Sequence, residues 1–289
     1  MTSGSTPDVS VIVVAHDVRD EVLACLESVE SHAAPATAEL LLVDNGSQDG
    51  TAEAVAERFP AAEVVRLPRN VGVAARNEGL RRARGRLRMF LDSDARLTPG
   101  ALPELVAYLD SHPEAGLVGP RLVYEDRTLQ LSARRFPPLL LPLMRRPPLD
   151  RFFEDGRSVR RHVMADDRHD QTREVEYVLG ACQLFTARAQ SAAGELDPRI
   201  FFGPDDADWC FRIRGAGLAV VYHPAATVVH AYRRSSARTP LSRIALAQLE
   251  AFARFQWKWR RERARLIREG REMDARAQGP GGGQAGAAE

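Results

Sequence analysis

The sequence has few cysteines, almost no lysine and almost no net charge. Its three cysteines, Cys25, Cys182 and Cys210, form no Cys-x-x-Cys pair, which disfavours a disulfide framework or zinc site and indicates a reducing compartment. The 40 basic and 39 acidic side chains leave a formal charge of +1, so the basic excess of nucleic-acid-binding proteins is missing. Lys258 is the single lysine, and we interpret this bias as the codon usage of a GC-rich genome.

The sequence also lacks patterns for targeting and for membrane insertion. The first ten residues, MTSGSTPDVS, do not combine a basic stretch with an apolar one, so no signal peptide is expected. No apolar run approaches the roughly 20 residues of a membrane-spanning helix. With 44% hydrophobic and 27% charged residues, the chain is expected to be a globular protein. We expect it in the cytoplasm, free or peripheral at the inner face of the cell membrane.

Apolar, β-branched segments alternate with helical patterns along the first 110 residues. Strands buried on both faces are predicted at 9–15, 39–43, 63–67 and 86–91, and helices at 19–32, 51–59 and 73–84. This alternation predicts an α/β fold whose first half is a parallel, Rossmann-like sheet. No Gly-x-Gly-x-x-Gly follows the first strand, which argues against a dinucleotide-binding domain.

The pattern changes after residue 110. Here the sequence predicts a strand pair at 116–124, strand character at 175–187, a helix at 206–214, strands at 218–224 and 226–230, and an amphipathic helix at 241–259. We divide the chain into a first half (1–115), a second half of the same domain (116–232), a C-terminal amphipathic helix (233–272) and a disordered tail (273–289).

Polar residues cluster where three of the predicted strands end. The clusters follow the first, second and fourth strands: Ala15-His16-Asp17, Asp44-Asn45 and Asp92-Ser93-Asp94. Each cluster taken alone is also explained by a turn or a helix N-cap. Because ligands of open α/β sheets bind beyond the carboxyl ends of the strands, three clusters at one edge predict a binding site.

Two groups of acidic residues are candidates for chemistry. Asp92 and Asp94, two residues apart after a buried strand, can converge on a hard divalent cation, although a lone pair of this kind is more often a solvated turn. A second group, Asp205, Asp206 and Asp208, opens a predicted helix. Helix capping and a general base held at a pocket edge are both open readings of this group.

Six segments, in chain order, resemble motifs of the family 2 glycosyltransferases. VSVIVVAHD, LLVDNGSQDGT, NVGVAARNEGL and FLDSDA are similar to the first four signatures, VEYVLGACQLFTA to the acceptor-side strand, and ELDPRIFFGPDDADWCFRIRGAGLAVVYHPAATVVH to the Glu-Asp-x-Asp block. The likeness spans about residues 8–232. His16, Tyr177 and Asp205 depart from the family's usual tyrosine, tryptophan and glutamate. LSARRFP resembles bacterial members that build cell-wall and surface polysaccharides, often rhamnosyltransferases.

The resemblance implies a fold of the glycosyltransferase-A type and a role for each matching residue. The nucleotide-sugar site would include Ala15, Asp17, Asp44, Asn45, Arg76, Asp92 and Ser93. A Mn²⁺ or Mg²⁺ ion would be held by Asp94, Asp92 and His230. The catalytic base would be Asp206, with Asp205 and Asp208 as supporting acids and Gly180 and Ala181 on the acceptor side.

The implied activity is inverting transfer of a sugar from a nucleoside-diphosphate donor to a hydroxyl of a glycan or lipid-linked glycan. One alternative is a sugar-phosphate nucleotidyltransferase, but its phosphate loop with glycine and lysine is missing near the first strand. The other is an inert nucleotide-sugar-binding or scaffold protein. Asp92, Asp94, Asp206 and His230 argue against it.

The C-terminal segment 241–267 allows two interpretations. An apolar face and a group of basic residues are both present: Leu241, Ile244, Leu249, Phe252, Phe255 and Trp259 on the face, and Arg254, Lys258, Arg260, Arg261, Arg263 and Arg265 in the group. We favour packing of the apolar face on the catalytic domain. The alternative is a helix lying on the inner face of an anionic membrane.

Overall fold

The computed structural model describes residues 6–144, 150–153, 156–232 and 243–278. Its strands are β1 (Val9–Ala15), β2 (Ala38–Asp44), β3 (Glu63–Arg66), β4 (Leu87–Asp92), β5 (Ala95–Leu97), β6 (Ala115–Val123), β7 (Leu129–Gln130), β8 (Ala133–Arg134), β9 (Arg173–Glu174), β10 (Tyr177–Val178), β11 (Cys182–Thr186) and β12 (Ala219–His230). Its α-helices are α1 (Arg19–His32), α2 (Thr51–Arg58), α3 (Arg76–Arg82), α4 (Ala101–Ser111), α5 (Leu141–Met144), α6 (Asp150–Phe153), α7 (Arg157–Val163), α8 (Ala187–Ala193), α9 (Asp205–Gly215), α10 (Arg243–Lys258) and α11 (Arg263–Gln278).

A single mixed sheet joins both halves of the chain. Its main strand order is β3-β2-β1-β4-β11-β6-β12-β5. The strands β1 to β4 pair in parallel, whereas β11 runs antiparallel to both β4 and β6. The predicted α/β fold with a mixed sheet is therefore confirmed. Because β11 lies between β4 and β6, the two predicted halves share one core.

Helices cover both faces of the sheet, which explains why the strands are apolar on both sides. In β1, Val11 and Val13 face the core under α1 and α4, while Ile12 faces the opposite core. That opposite core also takes side chains from α3, α8, α9, α10 and α11. The parallel register sets Ala15 beside Asp44 and Val14 beside Asp92, so three strand ends meet at one edge.

Several predicted elements differ from those observed. The predicted strand pair at 116–124 is one strand, β6, and the two strands predicted at 218–230 are one strand, β12, with an irregular register between His223 and Thr227. The helix predicted from residue 73 begins with a 3₁₀ turn, Gly72–Ala75. Proline at 224 explains the irregularity, since it cannot donate to the strand ladder.

The single C-terminal helix predicted at 233–272 is wrong, because the structure has two helices, α10 and α11, with turns at 259–262. The turns let Phe255 of α10 and Leu266 of α11 enter the same core. The tail predicted as disordered from residue 273 also needs correction, since α11 continues to Gln278. Residues 279–289 and the start of the predicted helix, 233–242, lie outside the described residues.

Charged contacts fix α11 against the domain. Arg135, whose side chain is fully buried, and Arg173 both pair with Asp274. Gly270 lies so close to the buried Glu176 that a Cβ placed on it would overlap the Glu176 carboxylate. Burial raises the pKa of Glu176 to about 7, although nearby arginines act against this shift. The C-terminal helices are thus part of the packed domain.

Among the helices of the described residues, none is long and apolar enough to cross a membrane.

Candidate active site

Asp17 ties the loop after β1 to the loop after β2, and Asp44 closes the second loop on itself. The backbone N–H of Gln48 donates to Asp17 Oδ1 at 2.7 Å, and that of Ser47 donates to Asp44 Oδ1 at 3.0 Å. Asp17 has a φ of 53°, the left-handed region, which this pair of loops maintains. Asp44 is buried and Asp17 is exposed, so the two carboxylates lie at different depths at this edge of the sheet.

At the same edge of the sheet, Ala15 makes a hydrogen bond through its backbone, and Asn45 makes hydrogen bonds through its backbone and its side-chain amide. The side chain of Ala15 is buried in the core, and its carbonyl accepts from the Asn45 N–H at 2.8 Å. The Asn45 amide donates to the carbonyl of Gly72 at 3.2 Å and accepts from the N–H of Val71 at 2.9 Å. Asn45 therefore positions the loop that leads into α3 and Arg76.

Arg76 joins the two acidic groups that the sequence predicts. Its guanidinium donates to Asp92 Oδ1 at 2.6 Å and to the carbonyl of Gly180 at 3.0 Å, and it lies 3.5 Å from Asp205 Oδ2. The same group lies 4.9 Å from the centre of the Phe90 ring. Arg76 is buried, so these contacts hold the ends of β4 and α9 at a fixed separation.

Asp92, Asp94 and His230 form a group that can hold a metal ion. One ligand atom from each of the three residues lies within 4.8 Å of the others. The His230 Nε2 lies 3.2 Å from Asp94 Oδ1 and 3.8 Å from Asp92 Oδ2. Burial opposes protonation of His230, but the neighbouring carboxylates outweigh it and raise its pKa. The same field favours a divalent cation, and carboxylate oxygens with an imidazole suit Mn²⁺ or Mg²⁺. The residues present therefore fit the predicted ion.

Gln130 orients the imidazole of His230, a role that the sequence did not reveal. The Gln130 Oε1 lies 2.7 Å from His230 Nδ1, and an amide oxygen only accepts, so Nδ1 carries a proton. In the neutral imidazole the free electron pair is then on Nε2, the nitrogen that faces Asp94. Gln130 is on β7, whose pairing with β6 sets this contact across 100 residues of sequence.

Ser93 lies between the two carboxylates, partly exposed in the turn that joins β4 to β5. Ala181 is buried, and its carbonyl accepts from the N–H of Asp92 at 2.9 Å. A Cβ on Gly180 would lie 3.2 Å from the Arg76 guanidinium and 3.5 Å from the Cβ of Asp206. The absence of a side chain at Gly180 thus leaves Arg76 and Asp206 room to approach.

Asp206 is partly exposed at the start of α9. Its Oδ2 accepts from the Gly180 N–H at 3.3 Å and its Oδ1 accepts from the Ala207 N–H at 2.7 Å. Burial, followed by the charge of Asp205, raises the pKa of Asp206, while Arg134 acts in the opposite direction. A carboxylate with a raised pKa that backbone donors hold in place is suited to accept a proton. Arg134 is a second residue that the sequence reasoning missed.

Asp208, which the resemblance predicts to be a supporting acid, has its observed contacts on the side of α9 that faces α10. Its carboxylate is buried and accepts from Arg212 Nε at 3.1 Å and from the indole N–H of Trp259 at 2.9 Å. Lys258 Nζ lies 2.6 Å from the same group. Helical geometry is the reason, since residues two apart on a helix point in different directions. Asp208 therefore joins α9 to α10.

Comparison with known proteins identifies relatives of this chain. The sequence profile described as "Glycosyl transferase family 2" matches residues 10–169. The N-acetylglucosaminyl-diphospho-decaprenol L-rhamnosyltransferase of Mycobacterium tuberculosis is 26% identical over 226 residues, 71% of this chain and 70% of the relative. Glycosyltransferase AglE of Haloferax volcanii is 40% identical over 100 residues, 32% of each chain.

Solved structures with the same fold include two glycosyltransferases. GalNAc-T7, solved with UDP, GalNAc and Mn²⁺, has a TM-score of 0.63 at 17% identity, covering 88% of this chain and 49% of that one. The mannosyltransferase PcManGT of Pyrobaculum calidifontis, solved with GDP-Man and Mn²⁺, has a TM-score of 0.56 at 20% identity, covering 81% and 59%. This chain thus spans 49% and 59% of their lengths. The shared fold is that of the glycosyltransferase-A type.

Proposed function

Because this chain belongs to glycosyltransferase family 2, we propose that it transfers a sugar, with inversion, from a nucleoside-diphosphate donor to a hydroxyl of a growing surface or cell-wall glycan. The observation that carries the proposal is the link through Arg76, which holds the Asp92, Asp94 and His230 group next to Asp205 and the neighbouring Asp206. One cleft thus combines a cation site with a carboxylate able to accept a proton.

Asp94, Asp92 and His230 are the residues that would hold Mn²⁺ or Mg²⁺. When bound, such an ion offsets the charge that develops on the leaving diphosphate. Gln130 keeps the Nε2 of His230 available for this purpose, and Arg76 keeps one Asp92 oxygen engaged so that the other is directed toward the group. These contacts preorganise the site before a substrate arrives.

Asp206 is the proposed general base. It accepts the proton of the acceptor hydroxyl while that oxygen forms a bond to the anomeric carbon and the bond from this carbon to the diphosphate oxygen breaks. Attack opposite the leaving group in a single displacement inverts the configuration. The Gly180 N–H holds Asp206, and the missing side chain at Gly180 lets Arg76 and Asp206 lie close to this strand. Asp44 and Asp17, at the other end of the cleft, would contact the nucleotide.

The acceptor class follows from the relative in Mycobacterium tuberculosis, whose name describes transfer of L-rhamnose to a sugar linked by diphosphate to decaprenol. We therefore propose a lipid-linked glycan as the acceptor of this chain and L-rhamnose as the first donor sugar to test. Such a reaction would place the enzyme in the cytoplasm at the inner face of the cell membrane.

A donor screen followed by a transfer assay tests the proposal. Nucleoside diphosphates that stabilise the protein thermally only with Mn²⁺ or Mg²⁺ identify the nucleotide, and the matching nucleotide-sugars are then offered with a lipid-linked acceptor. Asp206→Asn is expected to lower turnover by about 10²–10⁴-fold while donor affinity changes little.

Asp205→Asn is the matched control and should keep more turnover than Asp206→Asn. The anomeric configuration of the product, measured by NMR, distinguishes inversion from retention. A protein that binds the nucleotide-sugar but transfers nothing to any acceptor would favour the inert binding protein and contradict the proposal.

A further inference from the structure

The helix α10 is apolar on two opposite faces. Its inner face carries Phe252 and Phe255, which are buried against the domain. A second stripe, at residues 246, 249, 253 and 257, has the three- and four-residue spacing of one helix face. On this outer stripe Leu246 is 55% exposed and Trp257 is 67% exposed. Among the described residues, packing therefore accounts for the inner face and leaves Leu246 and Trp257 of the outer stripe exposed.

The outer stripe borders an apolar groove. The groove has a volume of about 510 Å³, and its opposite wall is formed by Leu139, Leu140 and Pro142, at and just before α5. Leu139 and Leu140 are each about half exposed, and Phe152 on the neighbouring α6 is 77% exposed. Exposed apolar side chains thus come from three segments of the chain, and contiguous exposed apolar surface is a feature of interaction sites.

Basic residues surround this apolar surface. Arg260 and Arg263 line the groove, and the Arg260 guanidinium lies 4.0 Å from the ring centre of Trp257. Residues 254–265 carry six basic side chains and one acidic one, but Lys258 pairs with the buried Asp208, Arg254 with Glu250 and Arg265 with Glu269. Arg260, Arg261 and Arg263 are the basic groups of this segment that remain for lipid phosphates. Tryptophan and arginine side by side are suited to the interface of a bilayer, where the ring enters the headgroup region and the guanidinium meets lipid phosphates.

We propose that the outer stripe of α10 and the groove beside it dock on a bilayer that contains anionic lipid. The local charge favours this occupant, because each exposed basic residue is attracted to anionic lipid and the apolar side chains gain by leaving water. The usefulness of the docking rests on the proposed function, since a lipid-linked acceptor lies in a membrane. The docking itself requires neither donor nor metal.

Vesicle flotation with the full chain tests the docking. Vesicles of phosphatidylcholine with phosphatidylglycerol are compared with pure phosphatidylcholine, at low and at high salt, without nucleotide or metal. The wild type is expected to float with the anionic vesicles at low salt and to be released by salt. Trp257→Ser and the pair Arg260→Glu with Arg261→Glu are expected to weaken binding at least tenfold.

The matched control reverses two arginines elsewhere, Arg58→Glu with Arg188→Glu, on α2 and α8. This variant changes the net charge by the same amount but leaves the groove lining intact, so its vesicle binding should stay near that of the wild type. Thermal unfolding of every variant verifies that it is folded. Binding of nucleoside diphosphate, measured by calorimetry, should be unchanged in the α10 variants, which separates failure of the docking from failure of the proposed function.

Four results would overturn the inference. The first is a wild type that does not float with anionic vesicles at low salt, and the second is equal binding to pure phosphatidylcholine. The third is self-association that Trp257→Ser abolishes in a protein that ignores vesicles, because a second copy of the chain would then be the occupant. Equal loss of binding in the control variant would also contradict the assignment to this surface.

Discussion

Replacing Asp208 by alanine is expected to loosen the attachment of α10 without entering the reaction. The buried carboxylate accepts from Arg212 and Trp259 and pairs with Lys258, and the alanine leaves these donors without their acceptor. A hydrogen bond to a charged group contributes about 1.5–3 kcal/mol, and removing one partner of a buried ion pair costs about 3–5 kcal/mol. Because the three contacts share one acceptor, we expect Asp208→Ala to lower the free energy of unfolding by about 3–5 kcal/mol in total. For a chain of this size that lowers Tm by about 5–8 °C.

The assay compares Asp208→Ala with Asp206→Ala by thermal unfolding and by transfer rate. Asp206→Ala should unfold near the wild-type temperature and be almost inactive, whereas Asp208→Ala should unfold early and retain turnover below its transition. The double variant Asp208→Ala with Lys258→Met should lose less free energy of unfolding than the sum of the losses in the two single variants. In the double variant no ammonium group is left without its partner.

The reasoning is refuted if Asp208→Ala unfolds within about two degrees of the wild type yet loses transfer. That outcome would return Asp208 to the reaction, as the sequence motif had suggested. Equal loss of stability in Asp206→Ala would likewise contradict the division between an acid of the cleft and an acid of the helix interface.

Three further expectations concern the cleft and the C-terminal packing. Burial and then the charge of Asp205 raise the pKa of Asp206. Because a base works deprotonated, above its pKa, Asp205→Asn should move the acidic limb of the kcat–pH profile to lower pH. An unmoved limb would contradict the coupling between the two aspartates. Asp94→Ala should weaken Mn²⁺ binding in calorimetry and make nucleoside-diphosphate affinity insensitive to chelator, whereas wild-type binding that is equally strong in excess chelator would contradict the metal assignment. Gly270→Ala should lower the free energy of unfolding in urea by about 1–3 kcal/mol, because the new methyl group overlaps a buried carboxylate. Gly215→Ala, in a helix with open space around it, should raise that free energy by up to about 1 kcal/mol. Equal effects of the two changes would show that contact is not the cause.

The strand ends were predictable because two simple patterns agree. Each of β1, β2 and β4 is an apolar run that stops at a polar residue, and parallel pairing then brings those stops to one edge. The observed register, with Ala15 beside Asp44 and Val14 beside Asp92, follows from this arrangement. Such local alternation is available from a single sequence.

Contacts over long separations were not predictable. Arg76 contacts Gly180 across 104 residues of sequence, and Gln130 contacts His230 across 100. Contacts at such separations cannot be read from the local periodicity of the sequence. The contact of Lys258 was not predictable either, because the arginine-rich composition does not indicate which basic residue has a buried partner. A composition argument treats it as one basic residue among 40, whereas the structure has its ammonium 2.6 Å from the buried Asp208.

The three acids at the start of α9 show how a motif can group residues that do different work. Asp205 points to Arg76 inside the domain, Asp206 to the Gly180 N–H at the cleft, and Asp208 to α10. Helical geometry separates successive side chains by about 100° of rotation, so the partner of each acid depends on which element packs on that side of the helix. Their spacing in the sequence carries none of this information.

The contacts of Arg76 constrain where the charge of a diphosphate can be met. The resemblance predicts that this arginine faces the nucleotide, but its guanidinium is buried and already satisfies Asp92, Asp205 and the Gly180 carbonyl. An arginine shared by two carboxylates offers little net positive charge to a phosphate. Within the described part of the chain, this leaves the Asp92, Asp94 and His230 group as the place where a cation would meet the leaving group. We therefore regard Arg76 as a positioning residue that sets the separation between the cation site and the acids of α9.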